Sequence, residues 1–106
     1  MFHWTRLEEI TLLEKEVESH LRTQVKNKLG GLALKFVSPG LNGVPDRIVL
    51  LPGARIIFVE TKAPAKKLRK LQEYVCGLIA ALGFDVRRID TKEKVDSFIQ
   101  EMEGKP

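Results

Sequence analysis

The chain has 106 residues, 43% hydrophobic and 30% charged, with a net charge of +4 and a pI near 9.4, which sets the expectation of a single domain, residues 1–106, around one modest core. That composition fits an ordinary globular protein rather than a disordered one, and no apolar run approaches the roughly 20 residues that a membrane helix needs. Cys76 is the single cysteine, which excludes an internal disulfide, and His3 and His20 stand at spacings that make no zinc site with it. The opening "MFHWTRLEEI" has a Trp and two acids where a signal peptide needs a basic start and an apolar run, so the cytoplasm is the expected location.

Residues 6–29 carry Ile10, Leu13, Val17, Leu21 and Val25 at spacings of three and four, which predicts a helix with one apolar stripe. Thr5 is the expected N-cap, Glu8 completes a capping box, and Gly30-Gly31 ends the helix. "LALKFV" (32–37) alternates as a strand, and "SPGLNG" (38–43) is a loop of turn formers. Strands are expected at 46–51 and 55–61, around Pro52-Gly53. From 66 to 82, Leu68, Leu71, Val75, Leu78, Ile79 and Leu82 give the cleanest helical period, stopped by Gly83. "FDVRRI" (84–89) is a strand. Asp90 or Thr91 then caps a last helix with Val95, Phe98, Ile99 and Met102 on one face.

The order αβββαβα predicts an α/β fold. Three strands with short connections form an antiparallel meander, and a βαβ crossover adds a parallel fourth. Ile48 and Leu50 alternate with Val49 and Leu51, so the middle strands are apolar on both sides, as expected of strands covered on two faces.

Against that background "NGVPDRIVLLPGARIIFVETKAP" (42–64) poses a problem, because Asp46 opens one strand while Glu60 and Lys62 close the next. If the turn is Pro52-Gly53-Ala54, Asp46 falls opposite Glu60, and Lys62 shares their face by the two-residue period. Two carboxylates that close repel each other unless a cation lies between them. Lys62 supplies part of that charge in a structural salt bridge. A divalent metal satisfies both acids and frees the lysine for chemistry, and hard oxygen ligands favour Mg²⁺ or Mn²⁺ over zinc. Just downstream, "KAPAKKLRK" (62–70) holds five basic residues and no acid. Cations are unfavourable at a helix N-terminus, whereas a phosphate-facing patch explains them.

"GVPDRIVLLPG", then "FVETKAP", a basic helix start and Gln72 closely resemble the VRR-NUC family, a branch of the PD-(D/E)xK nuclease superfamily with a restriction-endonuclease-like core. The likeness runs from about Glu14 to Ile89 and includes the "GG", strand, "SPG" lead-in. It implies that Asp46, Glu60 and the backbone carbonyl of Thr61 hold Mg²⁺ or Mn²⁺, and that Lys62 positions or activates the attacking water and steadies charge on the phosphate. It also implies an acid from the first helix, for which Glu14 and Glu18 compete. Glu18 is favoured by its distance to Gly30-Gly31, which resembles the resolvase pattern. Gln72 matches a site glutamine of related nucleases. Lys35 and Ser38 line the site or touch the DNA backbone, and Lys66, Lys67, Arg69 and Lys70 flank it as phosphate contacts. His20 is read as an ordinary helix residue. Virus-type members and resolvases of this superfamily are commonly dimers, which implies a homodimer acting on branched or duplex DNA, Holliday junctions included, in a bacterial or phage-infected cytoplasm. The alternatives are an inactive DNA-binding module with the same fold, a flap or nicking nuclease without junction resolution, and a small α/β protein with no nucleic-acid role.

Overall fold

A computed structural model describes residues 5–62 and 68–105, and its elements follow the order αβββαβα. Helix α1 (Arg6–Leu29) starts at the expected capping box: the Glu8 N–H donates to Thr5 Oγ1 (3.1 Å), and the Thr5 N–H donates to Glu8 Oε2 (2.8 Å). Those two bonds satisfy two of the amides that every helix start leaves without partners. At its other end Gly30 takes the left-handed conformation at φ 64°, and the Gly31 N–H donates to the Val25 carbonyl (3.1 Å). Gly31 is there for space. A Cβ on it would lie 2.4 Å from the Leu50 carbonyl oxygen and 2.7 Å from Leu51 Cδ2. Gly31→Ala is therefore expected to lower unfolding stability in denaturant titrations by about 1–3 kcal/mol through overpacking. Gly77→Ala, inside helix α2 (Lys70–Ala81) with nothing within 4 Å of the new methyl, is expected to raise it by about 0.5–1 kcal/mol.

The four strands β1 (Leu32–Lys35), β2 (Arg47–Leu51), β3 (Arg55–Thr61) and β4 (Asp85–Ile89) form one sheet in sequence order. The first two pairings are antiparallel and the third is parallel, as a meander followed by a βαβ crossover requires. The β2–β3 turn is the expected Pro52-Gly53-Ala54, with Leu51 paired to Arg55 and Arg47 to Val59. Gly53 (φ 82°) and Ala54 (φ 60°) both take left-handed conformations to close it. β1 stops at Lys35, two residues earlier than the alternation suggests: the Phe36 N–H still donates to the Asp46 carbonyl (2.8 Å), and the chain then turns away through Ser38 and Leu41. The expected start of the second long helix at 66 falls partly on residues 63–67, which lie outside the described ones. Arg69 is extended, and α2 begins at Lys70.

The core lies on one side of the sheet. Val17, Leu21 and Val25 of α1 meet Val49, Leu51, Ile57, Val59 and Ile89 of the strands and Val95, Phe98, Ile99 and Met102 of helix α3 (Lys92–Glu103) in one buried cluster. Thr91, rather than Asp90, caps α3, with its hydroxyl accepting from the Lys94 N–H (3.1 Å).

The opposite side departs from the expectation of strands covered on both faces. α2 is short and lies towards β4, with Val75 as its one buried residue among those described. Leu32 (56% exposed), Leu34 (45%), Ile56 (41%) and Phe84 (44%) therefore remain open, beside a row of rings in which Phe36 and Phe84 both pack on Phe58. Alternation reads which side chains share a face, but the amount of helix available to cover that face is a property of the whole fold.

Candidate active site

Asp46 and Glu60 meet at the end of the β2–β3 hairpin because the turn sets the register. The last paired residues there are Arg47 and Val59, so the next positions outward are Asp46 and Glu60. Buried Pro45 leads the chain into Asp46. The two acids clasp each other's strand: Glu60 Oε1 accepts the Asp46 N–H (2.9 Å), and Asp46 Oδ1 accepts the Thr61 N–H (2.9 Å). Backbone amides that a sheet end would leave bare are thereby paired, and the carboxylates gain fixed orientations.

Glu60 is only 3% exposed, and its second oxygen, Oε2, takes a hydrogen bond from Gln72 Nε2 (3.0 Å) and an ion pair with Lys62 Nζ (3.3 Å). Gln72 is itself oriented by the first turn of α2, since its Oε1 accepts the Arg69 N–H (3.3 Å). Across β3, Thr61 faces α1. Its hydroxyl lies in hydrogen-bond reach of Asp46 Oδ2 and of Glu18 Oε1 (3.3 Å), and Glu18 Oε2 accepts from Arg47 Nη2 (3.3 Å). One hydroxyl proton thus serves two carboxylates. Burial, and after it repulsion from Glu60 and the hydrogen bond with Glu18, push the Asp46 carboxyl up to about 7 against the opposing pull of the Thr61 amide and hydroxyl.

Glu18, Asp46, Glu60, Thr61, Lys62 and Gln72 are thus drawn together at one end of the sheet, on or beside four elements, α1, β2, β3 and α2. Of the two helix acids, Glu18 reaches Thr61 and Arg47, and Glu14 sits half-buried one turn earlier. Lys35, exposed, ends β1 in register with Arg47 and so on the α1 side of the sheet rather than the face of Glu60 and Lys62, and Ser38 is half-buried in the loop that follows. Arg69 and Lys70 are exposed at the start of α2, next to Gln72. Lys66 and Lys67 lie outside the described residues. His20 pairs with Asp96 (2.7 Å) away from this cluster.

Sequence reasoning passed over Arg47 and the side chain of Thr61. Both were within reach of strand periodicity: residues adjacent to Asp46 and Glu60 must face the other side of the sheet, where the first helix packs.

Among the described residues no group of three His, Cys, Asp or Glu side chains converges as a ready-made metal cage. A buried Glu60 and a half-buried Asp46, two oxygen-donor carboxylates that repel each other, nevertheless fit a hard divalent cation. No helix among the described residues is long and apolar enough to cross a membrane.

A mixed four-stranded sheet flanked by helices, with P-D closing on E-x-K at one sheet end, defines a restriction-endonuclease-like core of the PD-(D/E)xK type. No family model matches the chain. "Putative nuclease p44" of Acyrthosiphon pisum secondary endosymbiont phage 1 is 48% identical over 80 residues, spanning 76% of this chain and 85% of that protein. A solved VRR_NUC domain superposes with a TM-score of 0.78 at 29% identity, covering 83% of this chain and 95% of the other. The chain belongs to the VRR-NUC family of nucleases.

Proposed function

We propose that this chain is a divalent-cation-dependent endonuclease that hydrolyses DNA phosphodiester bonds, acting as a homodimer on branched DNA such as Holliday junctions. The observation that carries the reading is the reciprocal clasp of Asp46 and Glu60 with Lys62 and Gln72 set against the same carboxylate. A purely structural ion pair needs one acid; this sheet end holds two, plus a third in Glu18.

Asp46, Glu60 and the Thr61 carbonyl would hold Mg²⁺ or Mn²⁺, which when bound supplies charge stabilisation to the phosphate and makes water a better nucleophile. Lys62, as a mobile point charge with three donors, orients the attacking water and stabilises the extra negative charge that builds on the phosphate oxygens. Gln72 keeps the Glu60 carboxylate turned towards the site. Glu18, itself held by Arg47, fixes the Thr61 hydroxyl against Asp46. Arg69, Lys70 and Lys35, all exposed, would contact the DNA backbone, together with Lys66 and Lys67 from the basic stretch of the sequence.

One site cuts one strand at a time, and a four-way junction with two-fold symmetry calls for two cuts placed symmetrically, which a two-fold protein supplies. The apolar side chains left open on the β1 side of the sheet suit such an association. The test is purified protein with Mg²⁺ or Mn²⁺ against four-way junctions, flaps, duplex and single strands, with light scattering on a size-exclusion column with and without the junction. The expected result is a dimer in both runs and symmetric paired cuts in the junction. A monomer that cuts only linear or flap DNA overturns the resolvase part and leaves a nicking nuclease; binding without cleavage in either metal leaves a DNA-binding module.

A further inference from the structure

The sequence doublet Arg87-Arg88 on the edge strand has no part in the site described so far, and the two arginines have opposite fates. Arg87 is in register with Val59 and faces the core side. There it pairs with Asp85 and Glu101 and lies 5.7 Å from the centre of the Phe98 ring. It ties β4 to α3. Arg88 is in register with Glu60 on the neighbouring parallel strand, so it projects on the face of the sheet where Glu60, Lys62 and Gln72 converge.

We propose that Arg88 binds a backbone phosphate of the DNA beside the bond that is cut, a role that rests on the nuclease reading given above. Four observations converge on it. Arg88 is exposed, on the strand that ends the sheet among the described residues. It stands one strand from Glu60, and strands run roughly 4.8 Å apart, so a guanidinium on a long side chain reaches a phosphate held over the carboxylates. Other cations stand near the same carboxylate, Lys62 paired with Glu60 and Arg69 beside Gln72, which itself donates to Glu60, so Arg88 would add to positive charge already gathered around Glu60. Asp90, two residues on, is held below the usual carboxylate range by Lys94 first and by Arg88 in addition, which puts the Arg88 charge at this end of the strand. An arginine, with its planar fork of five donors, can take an acid and a phosphate oxygen at once.

A competing role exists for any charged residue on an edge strand: guarding the bare edge against pairing with another sheet. That role needs only a charge. Phosphate binding needs a positive one in this place, and the two are separable. Arg88→Ala, Arg88→Lys and Arg88→Glu would be compared with the wild-type chain for DNA binding in excess chelator, where chemistry is silent, over a range of salt, and for cleavage in Mg²⁺ or Mn²⁺.

Arg88→Ala is expected to weaken binding and raise KM by roughly 10- to 100-fold with a smaller change in kcat, and to reduce the slope of log affinity against log salt by about one phosphate contact. Arg88→Lys should recover most of the slope, and Arg88→Glu should bind worst. Unchanged affinity and slope in Arg88→Ala, or an Arg88→Glu variant that binds like the wild type, overturns the proposal. The chelator arm keeps the question separate from the nuclease reading: a wild-type chain that never cuts defeats that reading, while the salt slope still decides whether Arg88 touches phosphate. Should Arg88→Ala fail to fold, the comparison of Arg88→Lys with the wild type decides, because only phosphate binding predicts a retained slope with weakened affinity.

Discussion

In excess chelator, cleavage of DNA is expected to disappear completely and to return when Mg²⁺ or Mn²⁺ is restored. The physical ground is the charge inventory of the sheet end. Asp46 and Glu60 are anchored by each other's strand amides and cannot swing apart to relieve their repulsion. Lys62 lies against Glu60, and Asp46 is left with a hydroxyl and an amide but no cation of its own among these contacts. A substrate phosphate would bring further negative charge to the same place, and without a divalent ion that approach is opposed. Binding elsewhere along the DNA should survive chelation, because it depends on Lys and Arg contacts to phosphates and responds to salt instead. Gel-based cleavage assays alongside anisotropy titrations of labelled DNA read the two separately. Undiminished cleavage in excess chelator would refute the proposed site.

The second large effect is the split between activity and stability at Lys62 and Asp46. Lys62→Ala is expected to reduce cleavage by about 10²–10⁴-fold, the range for removing a positioned group that moves or orients protons. It should leave a folded protein, because the hydrophobic cluster lies on the other side of the sheet. Asp46→Asn should also abolish cleavage, yet make the metal-free protein more stable at neutral pH by about 1–3 kcal/mol. The sign follows from the Asp46 carboxyl, which is raised from 3.8 to about 7 in the fold, chiefly by burial. Between those two pH values the folded chain keeps a proton that the unfolded chain has released. Stability from this group is fully present below the lower value and is lost as pH rises through the upper one. Metal-free wild type should therefore melt at lower temperature at pH 8 than at pH 5, and Asp46→Asn should flatten that slope, with thermal unfolding followed by circular dichroism. If Lys62→Ala unfolds the chain while Asp46→Asn cleaves normally, the pair is a structural salt bridge and the nuclease reading fails at its centre.

What the sequence by itself determined is local, or reachable by counting along two strands. The Thr5–Glu8 cap, the Gly30-Gly31 stop, the βαβ order and the three-residue turn at Pro52-Gly53-Ala54 all follow from short-range geometry. Once the turn length was right, the two-residue period of strands carried Asp46 to Glu60 and Lys62 to the same face. The tertiary structure decided what depends on how one element lies over another. Glu14 and Glu18 are one turn apart on the same helix face, and helical periodicity does not say what either one touches; the placement of α1 over β3 brings Glu18 to Thr61 and Arg47. Arg88 lies 28 positions after Glu60, and only the parallel pairing of β3 with β4 makes them neighbours. The open patch of Leu32, Leu34 and Ile56 likewise reflects how far α2 extends across the sheet. An apolar strand pattern states which faces can be buried; the number, length and docking of the helices determine which ones are.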